Sequence, residues 1–288
     1  MDKMDKAWIT GAGGLIGSHL VRAASKFAPN WEVTGLTRDQ LDPADFNAVR
    51  QVFRKQHPQM VIHCAALSKT PACQASPPLA RKLNVEVTAL LAELAADIPF
   101  VFFSTDLVFD GQQGNYDEAA TVNPLNVYAE TKVAAEQIVL ANPWHTVIRT
   151  SLNYGFSPTG DRAFNEEMRR AWQAGQTLKL FTDEFRCPIP VEITAQAVWS
   201  LIAQAQSGLY HLAGSVRLSR WQIGQLLAAR VSHHHPRIEP ESLRNYQGPP
   251  RSPDTSLNCA KLQKLLPFPL PGLQEWLATH LEEPAQPA

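Results

Sequence analysis

Tyr128 and Lys132 are the residues whose types and spacing point most directly to proton-transfer chemistry. They open a predicted helix that runs to about Leu140, and residues four apart lie on the same face of a helix. A phenol can give its proton to a carbonyl oxygen, and a nearby ammonium group favours the phenolate that is left behind. The same spacing arises by chance in many helices, so the pair needs support from other parts of the chain.

A run of polar residues upstream supplies part of that support. The apolar segment 100–103 is predicted to be a buried strand, and Ser104, Thr105 and Asp106 follow it directly. Ligands of an open parallel sheet bind just beyond the carboxyl ends of its strands. These hydroxyl groups are therefore expected at a ligand-binding edge, upstream of the Tyr–Lys pair.

A glycine turn at residues 10–17 predicts the element that positions this chemistry. The sequence T-G-A-G-G-L-I-G follows a short apolar strand and opens a helix from about Leu15 to Phe27. Glycines let the backbone approach a pyrophosphate, and the helix N-terminus directs N–H groups and its positive dipole end at the anion. A side chain at Gly17 would also push the helix away from the strand. We therefore predict a dinucleotide site that includes Gly11, Gly14, Leu15, Ile16 and Gly17.

The end of the second predicted strand, 32–37, bears on which dinucleotide is bound. In this fold an acidic residue there selects NAD, whereas a nearby arginine suits the 2′-phosphate of NADP. The chain has Arg38 and no acid before Asp39. We expect NADP(H) to be preferred, with NAD(H) as the alternative, and a solvated loop position is the competing interpretation of Arg38.

The alternation of strands and helices indicates the fold class. Further strands are predicted at 60–66, 100–103 and 146–149, and helices at 44–56, 79–96 and 128–140. This pattern predicts an α/β fold, a Rossmann-type doubly wound parallel sheet with a smaller C-terminal α/β substrate-binding lobe. We place the dinucleotide-binding domain at 1–154, the lobe at 155–281, interleaved with sheet elements, and a disordered tail at 282–288. Weaker signals in the lobe predict strands at 178–181 and 209–212 and helices at 195–206 and 220–230.

Composition excludes several other classes of protein. The chain has 288 residues, 44% of them hydrophobic, and 26 basic against 27 acidic residues, with no basic block. Neither nucleic acid nor a membrane is therefore an expected partner. The four cysteines are scattered and the first six residues are polar, so we expect a cytoplasmic enzyme. Three adjacent histidines, 233–235, cannot easily converge on one ion, and no metal site is expected.

Several segments together resemble the extended short-chain dehydrogenase/reductase superfamily, and within it the dTDP-4-dehydrorhamnose reductase family. The most specific are S-T-D-L-V-F-D-G at 104–111 and P-L-N-V-Y-A-E-T-K at 124–132. L-D at 41–42, V-I-H-C-A-A at 61–66, R-T-S at 149–151 and R-S-P-D-T-S-L at 251–257 are similar as well. Leu107 stands where related dehydratases carry an acid, and 108–111 differ from the short V-Y-G ending of epimerases. The resemblance thus favours a reductase.

This resemblance implies hydride transfer from a nicotinamide cofactor to the 4-keto group of a nucleotide-activated deoxysugar. Tyr128 would donate its proton to the carbonyl oxygen, and Lys132 would bind the nicotinamide ribose and lower the pKa of Tyr128. Thr105, in preference to Ser104, would hold the carbonyl oxygen. The implied catalytic residues, which also lie near the cofactor, are Thr105, Tyr128 and Lys132. Further implied cofactor positions are Arg38, Asp42, Cys64, Ala65 and Ala66, and implied substrate positions are Ser68, Asp106, Val108, Asn153, Arg186 and Arg251, the two arginines as diphosphate or sugar contacts.

The chain departs from the family at two places on the substrate side. Leu152 stands where the family often has a tryptophan, and the loop 67–73 lacks the usual polar pattern. A reductase of a different keto compound is therefore one alternative. Another is a non-catalytic NADP-binding subunit resembling the regulatory subunit of methionine adenosyltransferase, which uses the fold to bind a partner. By analogy with other short-chain dehydrogenases, a homodimer is the expected oligomer.

Overall fold

The computed structural model describes residues 4–231 and 236–280, so His233–His235 and the tail 282–288 lie outside the described residues. Its first half contains β1 (Asp5–Thr10), α1 (Leu15–Phe27), β2 (Trp31–Leu36), α2 (Phe46–Gln56), β3 (Met60–His63), α3 (Thr70–Ala75), α4 (Pro77–Arg81), α5 (Val87–Leu94), β4 (Phe100–Thr105), α6 (Val127–Leu140) and β5 (Thr146–Thr150). A π-helical turn, Lys82–Glu86, joins α4 to α5, and a 3₁₀ turn, Asp106–Val108, follows β4.

The second half consists of shorter elements. They are β6 (Asn153–Tyr154), α7 (Phe164–Gln173), β7 (Thr177–Phe181), β8 (Phe185–Arg186), β9 (Ile189–Pro190), α8 (Val191–Ala203), β10 (Gly208–Leu212), β11 (Leu218–Ser219), α9 (Arg220–Ala228), β12 (Arg237–Glu241), a 3₁₀ turn (Leu243–Asn245), α10 (Ala260–Gln263) and α11 (Leu273–Thr279). Three two-stranded sheets pair β7 with β12, β8 with β11 and β6 with β9. Within the described ranges, no helix has the length and hydropathy needed to cross a membrane.

Six parallel strands form the central sheet, in the order β10-β5-β4-β3-β1-β2. The order reverses between β1 and β3, because β2 lies on one side of β1 and the later strands lie on the other. Thr10 is paired with His63 across this switch point, and Thr105 is paired with Thr150 further along the same edge. Open parallel sheets bind ligands at such a point. The predicted Rossmann-type fold is confirmed.

Helices cover both faces of the central sheet. On one face α1 and α8 pack together, and the indole nitrogen of Trp199 donates to the carbonyl oxygen of Leu20 at 3.0 Å. On the other face α2, α5 and α6 cover Trp8, Phe100 and Phe102, which are buried. Strands buried on both faces are continuously apolar, which is why the sequence pattern identifies β3 and β4.

One edge of the central sheet comes from the second half of the chain. Strand β10, predicted at 209–212 in the range that interleaves the lobe with sheet elements, pairs with β5 and extends the central sheet by one strand. The chain leaves the sheet after β5, builds β6 to β9, and returns through α8, so a boundary at residue 154 does not separate two sequential units. The lobe has its own apolar core, which includes Tyr154, Trp172, Leu180, Ile223 and Leu273.

Candidate active site

The glycine turn joins β1 to α1 at the switch point. Each of its glycines is required for a different structural reason. Gly11 has φ +72°, and a Cβ there would lie 2.7 Å from the amide nitrogen of Ala65. A Cβ on Gly17 would collide with the carbonyl oxygen of Gly11. Gly14 is the N-cap of α1, and no side chain in the described part of the chain caps this helix end. The pyrophosphate of a dinucleotide fits this uncapped N-terminus, because its N–H groups can bind an anion.

We expect Gly11→Ala to weaken NADPH binding at least about tenfold, equivalent to about 1.4 kcal/mol. A left-handed backbone costs a non-glycine residue about 1–2 kcal/mol, and the added Cβ would also displace Ala65. Gly160→Ala is the matched control, because Gly160 has φ +68° with nothing within 4 Å of an added Cβ. Fluorescence titration with NADPH measures both variants. Equal losses of affinity would show that the approach of Ala65 is unimportant.

The segment after β3, predicted to pass close to the dinucleotide, is held against the end of β1. The Cys64 amide donates to the carbonyl oxygen of Thr10 at 3.3 Å, and the Ala65 amide lies 3.4 Å from the Thr10 hydroxyl oxygen. Ala66 is exposed. Burial raises the pKa of the Cys64 thiol, so this side chain is uncharged at neutral pH.

The side chains of Leu15 and Ile16 pack against α8 and hold the start of α1 in place. Both pack in a small apolar cluster with Val191, the first residue of α8. Leu15 is 8% exposed. Their side chains therefore fix α1, and their predicted cofactor contacts would come from the backbone.

Arg38 and Asp42, predicted to contact the adenosine end of the cofactor, lie beyond β2. The Arg38 side chain is 77% exposed, and its Nη2 is 4.0 Å from Asp42 Oδ2. An exposed pair at this distance contributes little to stability. The Arg38 guanidinium is therefore accessible to a ligand phosphate.

Tyr128, Lys132 and Thr105 meet at the carboxyl edge of β4. The helix that carries the first two is capped by Asn126, whose side chain accepts a hydrogen bond from the amide of the third helical residue at 3.1 Å. The Thr105 hydroxyl donates to Asp106 Oδ1 at 3.1 Å and accepts from the Leu107 amide at 3.2 Å. It is also close enough to Tyr128 to act on the pKa of the phenol. All three predicted catalytic side chains are buried.

Burial sets the protonation of the tyrosine and the lysine. Burial and the carboxylate of Asp106 raise the pKa of Tyr128 above its ordinary value. Burial lowers the pKa of Lys132 to about 7, against the opposing effect of Glu136. The expectation that Lys132 and the bound nicotinamide together lower the pKa of Tyr128 stays a prediction for the complex, because desolvation has the largest effect on this pKa in the protein by itself. Tyr128 keeps its proton at neutral pH, which is the form that can donate.

Lys132 and the residues one turn further along α6 make buried contacts with the central sheet. Its Nζ lies 3.9 Å from the ring centroid of Phe102, a cation–π contact. One helical turn further, Glu136 forms a buried ion pair with Arg149, 2.7 Å between Oε2 and Nη2. Arg149 Nη1 also lies 3.4 Å from His211 Nε2, and burial and Arg149 lower the pKa of His211 to about 3. These contacts fix the catalytic helix to β5 and β10.

Asp106 and Arg186, both predicted to bind substrate, are buried and paired with each other. Arg186 Nη1 is 2.6 Å from Asp106 Oδ2, and Arg186 Nε is 3.4 Å from Glu184 Oε1. Arg251 donates twice to Glu184, at 2.7 and 2.9 Å. Although burial acts to raise it, Arg186 and Arg251 hold the pKa of Glu184 below its ordinary value. Arg186 is only 6% exposed, so it binds two carboxylates of the protein and is not placed to bind a diphosphate.

The other predicted substrate residues divide into two groups. Val108 has 0% exposure inside an apolar cluster, so its side chain cannot reach a ligand. The amide group of Asn153 donates to one threonine hydroxyl at 3.0 Å and accepts from another at 2.6 Å, which makes it a structural link. Ser68, by contrast, is exposed, and the Arg251 side chain is 33% exposed. These two are placed to contact a ligand.

Arg220 is a cation near this site that the sequence does not signal. It is half-buried at the first position of α9, and its guanidinium carbon lies 5.7 Å from the ring centroid of Phe164. Burial and the like charges of Arg186 and Arg251, against Glu184, lower the pKa of Arg220 to about 10. Among the described residues, no carboxylate lies within ion-pair distance of its guanidinium. The nearby Glu184 pairs with Arg186 and Arg251 instead. Arg220 therefore adds positive charge beside Arg251, offset in part by the carboxylates of Glu184 and Glu167.

A Rossmann sheet, a glycine turn and a Tyr-x-x-x-Lys pair beside a strand-end hydroxyl define an NAD(P)-dependent oxidoreductase of the extended short-chain class. Residues 5–285 match the family described as RmlD substrate binding domain, and the chain belongs to this family. The resemblance stated from the sequence is thereby confirmed.

Individual relatives carry several names. The chain is 28% identical to the probable low-salt glycan biosynthesis reductase Agl14 of Haloferax volcanii, with 94% of this chain and 96% of that protein covered. It is 27% identical to methionine adenosyltransferase 2 subunit beta of Xenopus laevis (90% and 82% covered). It is 32% identical to dTDP-4-keto-6-deoxy-D-glucose reductase of Streptomyces niveus (72% of each covered). Among solved structures, a hypothetical dTDP-4-dehydrorhamnose reductase from Sulfolobus tokodaii superposes with a TM-score of 0.82 at 26% identity (93% and 97% covered).

Proposed function

We propose that this chain reduces the 4-keto group of a nucleotide-activated deoxysugar with NADP(H). The observation that carries the proposal is the placement of three buried side chains, Tyr128 and Lys132 one turn apart on α6 and Thr105 at the end of β4, one strand from the switch point where a dinucleotide would lie. The reductase names of the Streptomyces niveus and Sulfolobus tokodaii relatives support this class of substrate.

The chain's own residues supply the proton and the orientation of the carbonyl. NADP(H), when bound, supplies the hydride. Thr105 donates a hydrogen bond to the carbonyl oxygen, and Tyr128 transfers its phenolic proton to that oxygen as negative charge develops. Because burial raises the pKa of Tyr128, the protonated donor is the dominant form over the neutral range. Lys132, one helical turn away, then stabilises the phenolate by its charge.

The substrate side of the proposal relies on two half-buried cations. Arg251 and Arg220 border the buried Glu184–Arg186 pair and have donors that suit phosphate oxygens. We assign them to the diphosphate of the nucleotide sugar and Ser68 to its sugar ring.

Arg220→Gln is expected to raise the KM for the nucleotide sugar and to leave the KM for NADPH unchanged. A shift in both constants would contradict the assignment.

The cofactor preference leads to a separate prediction. Arg38→Ala is expected to raise the KM for NADPH about tenfold, because hydrogen bonds between charged partners contribute about 1.5–3 kcal/mol, and to leave the KM for NADH nearly unchanged. The 77% exposure of Arg38 makes the substitution harmless to folding. Initial rates with the two cofactors measure the ratio. Equal effects on NADPH and NADH would remove Arg38 from recognition of the 2′-phosphate.

The test of the proposed function is oxidation of NADPH against a panel of 4-keto nucleotide sugars, followed at 340 nm. We expect turnover with at least one of these sugars, and loss of that turnover in Tyr128→Phe. Tight NADPH binding with no turnover of any sugar, together with capture of a methionine adenosyltransferase, would instead identify a regulatory subunit.

We also propose a homodimer in a reducing compartment such as the cytoplasm. Ile138 and Leu140, at the end of α6, are 36% and 37% exposed, and Trp144, in the turn that follows, is 73% exposed. The four cysteines are free, which suits a reducing environment. Light scattering in solution tests the homodimer, since the mass of a monomer would contradict it. Cell fractionation tests the location in the cytoplasm.

A further inference from the structure

His63 is a buried polar residue at the end of an apolar strand, and the proposed proton transfer does not use it. It is 1% exposed and stacks on Phe102, with ring centroids 5.8 Å apart. Its two ring nitrogens have partners on different elements: Nδ1 lies 2.6 Å from Thr10 Oγ1, and Nε2 lies 3.1 Å from Thr88 Oγ1. His63 therefore connects the residue before the glycine turn with helix α5.

The directions of these hydrogen bonds can be assigned from one end. The Thr88 hydroxyl donates to the carbonyl oxygen of Asn84 at 2.8 Å, so it accepts from His63 Nε2–H. His63 is neutral, because burial and the positive charge of Lys132 lower its pKa to about 3. Its Nδ1 then accepts a hydrogen bond from the Thr10 hydroxyl. The oxygen of that hydroxyl in turn accepts from the amide of Ala65.

The connection continues to the catalytic helix. The Asn84 side chain donates to Thr131 Oγ1 at 3.0 Å, and Thr131 donates to the carbonyl oxygen of Tyr128 at 2.7 Å. The same Asn84 amide group exchanges two hydrogen bonds with the backbone of Leu67, at 2.8 and 3.0 Å. One buried network thus runs from Ala65 beside the glycine turn to the backbone of Tyr128.

We propose that His63 is a positioning residue that sets the segment 64–66 and the start of α6 relative to the glycine turn. Its Nδ1 arm, through Thr10, holds the segment that would contact the dinucleotide. Its Nε2 arm, through Thr88 and Asn84, holds the helix turn that carries Tyr128. The inference rests on the proposed function only in calling the ligand NADP(H) and Tyr128 the proton donor.

The two arms can be separated with near-isosteric variants. Thr10→Val breaks the Nδ1 arm, and we expect it to raise the Kd for NADPH about tenfold while amide exchange at 127–132 stays unchanged. Thr88→Val breaks the Nε2 arm, and we expect about tenfold faster amide hydrogen exchange at 127–132 with a Kd within about twofold of wild type. His63→Ala combines both effects. His63→Asn, whose amide can occupy the Nδ1 position, restores the Kd for NADPH and not the exchange protection.

Thr146→Val is the matched control, because Thr146 is equally buried and its hydroxyl also donates to a backbone carbonyl oxygen, that of Gln206 at 3.0 Å, outside the network. It should reproduce any general loss of stability without either specific effect. The proposal is overturned if Thr10→Val and Thr88→Val change the same observable, or if their effects match those of Thr146→Val at equal melting temperature. NADPH binding and exchange need no sugar substrate. If Thr10→Val and Thr88→Val show their separate effects but the chain reduces no keto sugar, this inference stands and the proposed function is rejected.

Discussion

Tyr128→Phe is expected to lower kcat at least about a hundredfold, with the Kd for NADPH within about twofold of wild type. The substitution removes the phenolic proton and leaves the ring, and general acid catalysis contributes about 10²–10⁴-fold. The ring packs with Cys73 and Ala80 and keeps those contacts. Stopped-flow oxidation of NADPH with a saturating keto sugar measures the chemical step directly.

Tyr116→Phe is the matched control for this prediction. Tyr116 is also buried, and its hydroxyl donates to Asp110 at 2.8 Å, away from Thr105 and Lys132. It loses one phenolic hydroxyl, as Tyr128→Phe does, together with the hydrogen bonds to Asp110 and from the Gln113 amide. We expect kcat of Tyr116→Phe within about threefold of wild type, because this hydroxyl takes no part in the proposed proton transfer. Similar kcat values in the two variants would exclude proton donation by Tyr128.

Arg186→Met is expected to reduce the free energy of unfolding by about 3–5 kcal/mol, because it leaves a buried carboxylate without its cation. Asp106 would keep hydrogen bonds from the hydroxyls of Thr105, Ser151 and Thr255, at 3.1, 2.8 and 3.2 Å. Glu184 would keep Arg251 alone. Urea unfolding followed by tryptophan fluorescence measures the change. The double variant Arg186→Met/Asp106→Asn should recover part of it, since the stranded charge is then removed.

Arg50→Met is the control for the buried pair. Arg50 also forms two hydrogen bonds with a carboxylate, Glu93, at 2.9 and 3.0 Å, but the pair is exposed. Exposed ion pairs contribute little, so the unfolding midpoint should hardly change. A loss in Arg186→Met no larger than that in Arg50→Met would show that the buried pair is not needed for stability.

The parts of the molecule that follow local rules could be predicted from the sequence. Helix α1 begins and ends where the pattern places it, because a glycine turn and an apolar periodicity define its ends. The strands β3 and β4 are continuously apolar and were identified for that reason. Tyr128 and Lys132 share one face of one helix, so their proximity needed no tertiary information.

Relations between distant segments could not be predicted in the same way. Nothing in the sequence around Asp106 indicates that Arg186 neutralises it, and the family resemblance implies a substrate contact for both. Val108 lies in a motif associated with substrate, yet its neighbours in space enclose it completely. The role of His63 has one sequence signal, a single polar residue closing an otherwise apolar run, and its partners Thr10 and Thr88 are visible only in the fold.

The position of β10 has a consequence for how the chain folds during synthesis. Until residue 212 has been made, β5 is an unpaired edge with its N–H and C=O groups open to other strands. The face of α1 that α8 covers is uncovered until α8, which ends at Ala203, has been made. A nascent chain ending near residue 154 is therefore an aggregation-prone species, and the nucleotide-binding half cannot be exchanged between proteins as a module cut at that point.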